Sequence, residues 1–259
     1  MEEFVHKFSN VGVYVIAQVV AFPVVYWLTP RCVEDRRTLT NDIVLMFILP
    51  VMLYSSASAA YKFSGSIELR WSGVDADPLR CLEIYVAHQV FSCVVDFAFP
   101  RQSWRHNVGL MAHHATTIAC GVKQIYTGAM PFWASLSILA EFSTPSLKIV
   151  NMGTSKGGDF AERFKARLGP LWLANGLLLW ATYIIFRLVL FPVWLCWFFY
   201  DLHRMEDAMR SKLKLTYFEV YVMPATVVLL LALSSMWFQR IHAGVAKALK
   251  KFFRRGRES

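Results

Sequence analysis

Residues 170–200 read PLWLANGLLLWATYIIFRLVLFPVWLCWFFY, a run that carries a single charged residue, Arg187. A helix rises 1.5 Å per residue, so about 20 apolar residues cross the hydrocarbon core of a bilayer. The run exceeds that length, which predicts a span that is strongly tilted or broken at Pro192. Outward from it the pattern repeats. Apolar runs at 11–28, 41–61, 82–99, 107–126, 128–150 and 215–238 bring the predicted set to seven spans joined by short polar loops. Composition agrees: 56% of the 259 residues are hydrophobic, only 17% are charged and the mean hydropathy is +0.40, against about 25% charge in soluble domains. The predicted fold class is all-α, a polytopic membrane protein, with no second soluble domain and no clear internal repeat.

The first run is preceded by Glu2 and Glu3, is long for a signal-peptide core and has no small-residue cleavage site after it, so it is expected to remain as a membrane helix. Five cysteines (Cys32, Cys81, Cys93, Cys120 and Cys196) show no CxxC or metal spacing, and three of them sit in apolar runs as small hydrophobic residues. No N-x-S/T sequon occurs. Within 153–169, Phe160, Phe164 and Leu168 share a helical face beside Lys165 and Arg167, which predicts a short interfacial helix.

The net charge is +9. Its distribution argues against nucleic acid, because Lys247, Lys250, Lys251, Arg254, Arg255 and Arg257 form a basic tail (241–259) directly after the last apolar run. Such juxtamembrane segments meet anionic lipid at the cytosolic leaflet. With that tail cytosolic, the larger share of Lys and Arg falls on the same side, so the N-terminus is expected to be lumenal or exterior.

Ionisable groups at membrane depth are costly, and each is a candidate functional residue. Here they are His88, Asp96, His113, His114, Glu141 and Arg187, with Glu219 nearer the interface. Counted from the cytosolic ends of their spans, Asp96, the histidine pair and Glu141 lie roughly 6, 11 and 13 Å deep. Three consecutive spans thus place acid, imidazole and acid in one layer. His88, Ser92 and Asp96 share a face at i, i+4 and i+8, and His113 shares one with Thr117 and Gly121. Pro145 removes the amide that would bond the Glu141 carbonyl, and Pro192 does the same for Leu188 beside Arg187. Freed carbonyls at that depth are re-satisfied by other donors or line a wet cavity.

An imidazole serves as general base or acyl acceptor, and a neighbouring carboxylate fixes its tautomer. Adjacent histidines point about 100° apart on a helix, so no shared metal is expected. The bland reading is that Asp96 and His88 simply join helices, and that Arg187 forms a structural pair or snorkels.

The stretch 105–118, with His113-His114-x-x-Thr117-Ile118, resembles the paired-histidine helix of the TLC-domain family, which includes the ceramide synthases. Glu141-Phe142-Ser143-Thr144-Pro145 resembles the Glu-x-Ser-x-Pro element of its smaller members. Asp96 at the end of its span, and 175–192 with Arg187, are similar to further family elements. The resemblance covers roughly residues 40–240, leaving 1–39 as an additional helix and loop. It implies a six-helix core around a central cavity for a long acyl chain, with one helix before it. It also implies His113, His114, Glu141 and Asp96 as catalytic residues, and Arg187, His88, Thr117, Ser143 and Thr144 as substrate contacts. Ceramide synthases continue with His-Asp-x-x-Asp, and those polar positions here hold Ala140, Glu141 and Thr144. One histidine and one aspartate are therefore missing, and a glutamate replaces another aspartate.

The implied function is lipid homeostasis, as an acyltransferase or as a non-catalytic lipid-binding, sensing or trafficking protein. Acyl-CoA is the implied co-substrate, with no bound cofactor. Membrane lipids are the implied partners, a sphingoid base or a lysophospholipid among them, and oligomerisation is left open. The endoplasmic reticulum is the implied compartment, with the plasma membrane as alternative. The tail ends in Arg-Gly-Arg-Glu-Ser and carries no KDEL-type signal.

Overall fold

The computed structural model describes residues 2–29, 36–73, 76–98, 104–154, 159–213 and 215–258. Among these there are helices and no strands. In order they are α1 (Glu2–Leu28), α2 (Arg36–Phe63), α3 (Ile67–Ser72), α4 (Ala76–Ala98), α5 (Trp104–Thr127), α6 (Pro131–Ile138), α7 (Thr144–Thr154), α8 (Asp159–Leu168), α9 (Pro170–Tyr183), α10 (Leu190–Arg204), α11 (Asp207–Leu213) and α12 (Met223–Glu258). Cys32 lies outside the described residues.

Four helical stretches are long and apolar enough to cross a membrane: Ser9–Leu28, Leu39–Phe63, Pro170–Arg204 and Phe218–Lys250. The other three expected spans are also helical but fall short of that length or hydropathy. They are α4, α5 and the α6–α7 pair, which with the turn between the last two supply His88, His113, His114, Glu83 and Glu141. Large apolar side chains such as Val20, Trp27, Phe47 and Tyr54 stand fully outward. A surface of that kind fits lipid rather than water. Helices long enough to span, with this apolar exterior, make the chain an integral membrane protein.

Three prolines leave local signatures. Before Pro145, the residues Leu139–Ser143 tighten into a 3₁₀ turn, and the Thr144 amide donates to the Glu141 carbonyl that Pro145 cannot reach. Before Pro192, Ile184–Val189 widen into a π-helix, with the Leu190 amide bonded to the Ile185 carbonyl. Before Pro224, Phe218–Val222 form a second π-helix, where the Met223 amide reaches Phe218. Each distorted turn holds one buried charged residue: Glu141, Arg187 and Glu219 respectively. Glu219 is no catalytic neighbour of the others. It caps its own turn by accepting from the Thr216 amide at 2.9 Å and lies 3.5 Å from Lys123.

At one end of the bundle an aromatic cluster closes the fold. Trp71, Trp133, Trp194 and Phe198 are fully buried and pack on one another. Arg70 reaches across from α3 to Asp201 of α10, with Nε and Nη2 donating to the two carboxylate oxygens at 2.6 and 2.7 Å. Its Nη1 donates to the Ser64 carbonyl. Two left-handed residues, Gly128 and Met130, turn the chain from α5 into α6, and the Met130 amide bonds the Trp71 carbonyl. The opposite end is open, and the polar layer lies toward it.

α4 packs between α1 and α5, α2 lies against α4 and α6, and α9 joins α7 to α12. The segment 159–168 forms the expected short helix, α8, with Phe160 stacked on Phe164. The basic tail continues α12 as helix to Glu258.

Candidate functional site

A cavity of about 320 Å³ opens toward the end of the bundle where α4 finishes, α5 begins and α12 runs out. His88, Gln89, Ser92 and Asp96 of α4, His113 and His114 of α5, Glu141 of the 3₁₀ turn, Thr144 and Lys148 of α7, and Arg187 of the π-helix all line it. Leu45, Leu49 and Met52 of α2, Leu110 of α5 and Leu147 of α7 give it an apolar wall.

The two imidazoles have different surroundings. His114 Nδ1 meets the Gln89 side-chain oxygen, while its Nε2, 3.4 Å from Asp96 Oδ2, is buried with no hydrogen-bond partner. His113 faces Glu141, with Nε2 3.9 Å from Oε1, longer than a hydrogen bond. Its Nδ1 is buried with no hydrogen-bond partner. The rings are 5.4 Å apart, and Trp237 of α12 lies 6.2 Å from His113 on its other side.

Glu141 is fixed from behind. Arg187 Nη2 donates to its Oε2 at 3.2 Å, and the Thr144 hydroxyl donates to the same oxygen. Arg187 Nε donates to Ser143 Oγ at 3.1 Å, and its guanidinium stands 5.4 Å from the Tyr183 ring centre. All four polar groups are buried. A carboxylate so placed holds its charge against a cation while presenting its free oxygen to His113.

Of the residues singled out in the sequence, His88, Asp96, His113, His114, Glu141, Thr144 and Arg187 share this cavity. Ser143 sits behind it as a support for Arg187. Thr117 turns away: its hydroxyl bonds back to the His113 carbonyl at 2.9 Å, and it lines a separate space of about 60 Å³. His88 points toward α1, with Nδ1 3.2 Å from the Gln18 side-chain oxygen and Nε2 3.1 Å from Ser92 Oγ. Gln18 and Gln89 went unnoticed because neutral amides give no charge signal in an apolar run. Lys148 was missed as a flank residue, yet its Nζ donates to Asp42 Oδ1 at 2.7 Å and ties α7 to α2.

The arrangement suits proton transfer by an imidazole to or from a group entering from the open end. Among the described residues no cluster of three metal-ligating side chains occurs. The family model for the TLC domain matches residues 7–243, a range that takes in α1 as well as the helices around the cavity. The chain belongs to the TLC-domain family. Neither the curated proteins nor the solved structures provide a match. Membership makes this a membrane protein of lipid metabolism or lipid sensing.

Proposed function

We propose that the protein admits the polar end of a membrane lipid into the cavity beside His113 and His114, and that the imidazole pair acts on it in acyl transfer. The observation that carries this reading is His113: a buried imidazole in a cavity wall, faced by an anchored carboxylate on one nitrogen and unpartnered on the other. With Nε2 protonated toward Glu141, Nδ1 is free to take a proton. A hydroxyl or amine of the lipid would lose its proton there and attack the thioester carbonyl of an acyl-CoA. The acyl–oxygen or acyl–nitrogen bond forms, the carbon–sulfur bond breaks, and the CoA thiolate leaves with the proton. His114, held by Gln89 and facing Asp96, would orient the acceptor.

The volume supports the same reading. About 320 Å³ lies near the lower bound of small-molecule pockets, enough for a head group and the reacting carbons, with the remaining chain passing outward into lipid. In this reading seven helices span the bilayer, six of them around the cavity and α1 outside. The open end and the basic tail face the cytosol, where acyl-CoA is available, in a membrane such as the endoplasmic reticulum.

A non-catalytic, lipid-holding role is the second reading. It is favoured by one observation: Arg187, Glu141, Thr144 and Ser143 satisfy one another, as a structural network does. Comparing cellular lipid profiles of wild type, His113→Ala and His114→Ala separates the two. A lipid product lost in both variants, with the protein still folded, supports transfer. Profiles identical to wild type overturn it and leave the holding role.

A further inference from the structure

Tyr85 of α4 stands between two spaces. It is buried, and it lines both the cavity of about 320 Å³ and the space of about 60 Å³ that Thr117 faces. Its hydroxyl lies within hydrogen-bonding reach of the side chains of Thr117 on α5 and Gln89 on α4, while Glu141 and Arg187 act on it only through space. Gln89 in turn meets His114 Nδ1. Tyr85 and Gln89 are four residues apart on α4, and His114 and Thr117 three apart on α5. Each pair therefore shares a helical face, and the two faces together form one chain of polar contacts.

Donor and acceptor capacity sets the direction of that chain. The Thr117 hydroxyl gives its one proton to its own helix, 2.9 Å from the His113 carbonyl and 3.0 Å from that of His114. Toward Tyr85 it is therefore an acceptor, and the Tyr85 hydroxyl is the donor. The Tyr85 oxygen is left to accept, and Gln89 has only its amide N–H to offer it. That turns the Gln89 carbonyl oxygen to His114, whose Nδ1 then carries the proton. A neutral imidazole has one N–H, so Nε2 remains as the basic nitrogen of His114. It lies 3.4 Å from Asp96 Oδ2, a carboxylate placed to stabilise it when it shares a proton.

We infer that Tyr85 is a positioning residue of the site: through Gln89 it fixes the tautomer of His114, so that Nε2 is the nitrogen offered to a group in the cavity. In the proposed transfer, His114 Nε2 receives a hydrogen bond from the polar end of the lipid and orients it, while His113 takes the proton of the attacking group. The inference draws its purpose from that reading, and its geometry stands without it.

The test reads the tautomer of His114 in the full chain in detergent micelles, by long-range proton–nitrogen correlation spectra of protein labelled at its histidine rings. The His114 signals are assigned by their absence from His114→Gln. Wild type is expected to show the Nδ1–H form. Tyr85→Phe keeps the ring and deletes the hydroxyl, and Thr117→Val keeps the volume and deletes the acceptor. Each is expected to turn His114 into a mixture of tautomers, whereas Thr117→Ser retains the wild-type form. His88, tied to Gln18 and Ser92, is the internal control and is expected to stay unchanged. An Nε2–H or doubly protonated ring in wild type, or an unchanged His114 in either Tyr85→Phe or Thr117→Val, overturns the inference. So does an equal change at His88, which would mean that α4 has loosened as a whole. No lipid enters the measurement, so the two readings fail separately. Lipid profiles of His113→Ala and His114→Ala that match wild type remove the transfer and leave the role of Tyr85, and a His114 tautomer indifferent to Tyr85 does the reverse.

Discussion

Arg187 and Glu141, 46 residues apart, meet at 3.2 Å across two helices that each depart from α-helical geometry at the contact. The 3₁₀ turn before Pro145 and the π-turn before Pro192 are what bring the two side chains together in the wall of the cavity. A buried pair contributes little over an apolar replacement, yet losing one partner strands the other. Arg187→Met is therefore expected to destabilise the protein by about 3–5 kcal/mol, read as unfolding in detergent. Adding Glu141→Leu should restore most of that loss. A single variant as stable as the double variant would show that the pair does not hold the site.

Arg70 and Asp201 supply the equivalent test at the closed end. Asp201 is fully buried and accepts two guanidinium donors. Asp201→Asn should lower stability by about 3–5 kcal/mol, while lipid that co-purifies with the protein stays unchanged, because the cavity lies at the other end. Equal loss of lipid and stability would tie the two ends together and contradict their separation.

How far the sequence could be read follows from what membrane depth penalises. Charge at depth is conspicuous, so Asp96, His113, His114, Glu141 and Arg187 stood out in an apolar chain, and helical counting put the first four in one layer. Long apolar runs likewise marked the integral membrane character of the chain. Arg70 and Asp201 were illegible for the opposite reason: they lie in polar connecting stretches, where charge is ordinary, and their partnership is set by tertiary packing alone. Prolines announced which carbonyls would be freed. Whether the backbone would tighten, as at Glu141, or widen, as at Arg187, depends on the neighbours of each helix and is not written in the proline itself.

Gly121 of α5 packs against Val86 of α4. A Cβ there would meet Val86 Cγ2 at 2.3 Å, and a branched side chain on a packed helix has little room to move. Gly121→Ala is expected to cost about 1–3 kcal/mol through overpacking. A thermal unfolding midpoint unchanged from wild type would mean that the helices can separate freely.

The first helix contributes little to the buried core, and its inward polar contacts include Gln18 with His88, and Asn10 with Glu83 at 3.2 Å. Gln18→Leu should weaken its attachment by about 1 kcal/mol. Hydrogen exchange would show it as faster exchange in α1 with the amides of α9 and α10 unaltered. A uniform change across all helices would instead mean that α1 is integral to global stability.

The most direct test of the account is native mass spectrometry of the purified full chain beside its Leu110→Trp variant. The account predicts one dominant lipid, retained at one copy per chain by the wild type, and its loss from the variant whose cavity is filled. A mixture of lipids bound equally by both forms would place lipid on the outer surface only and contradict the claim that the histidine-lined cavity is a lipid site.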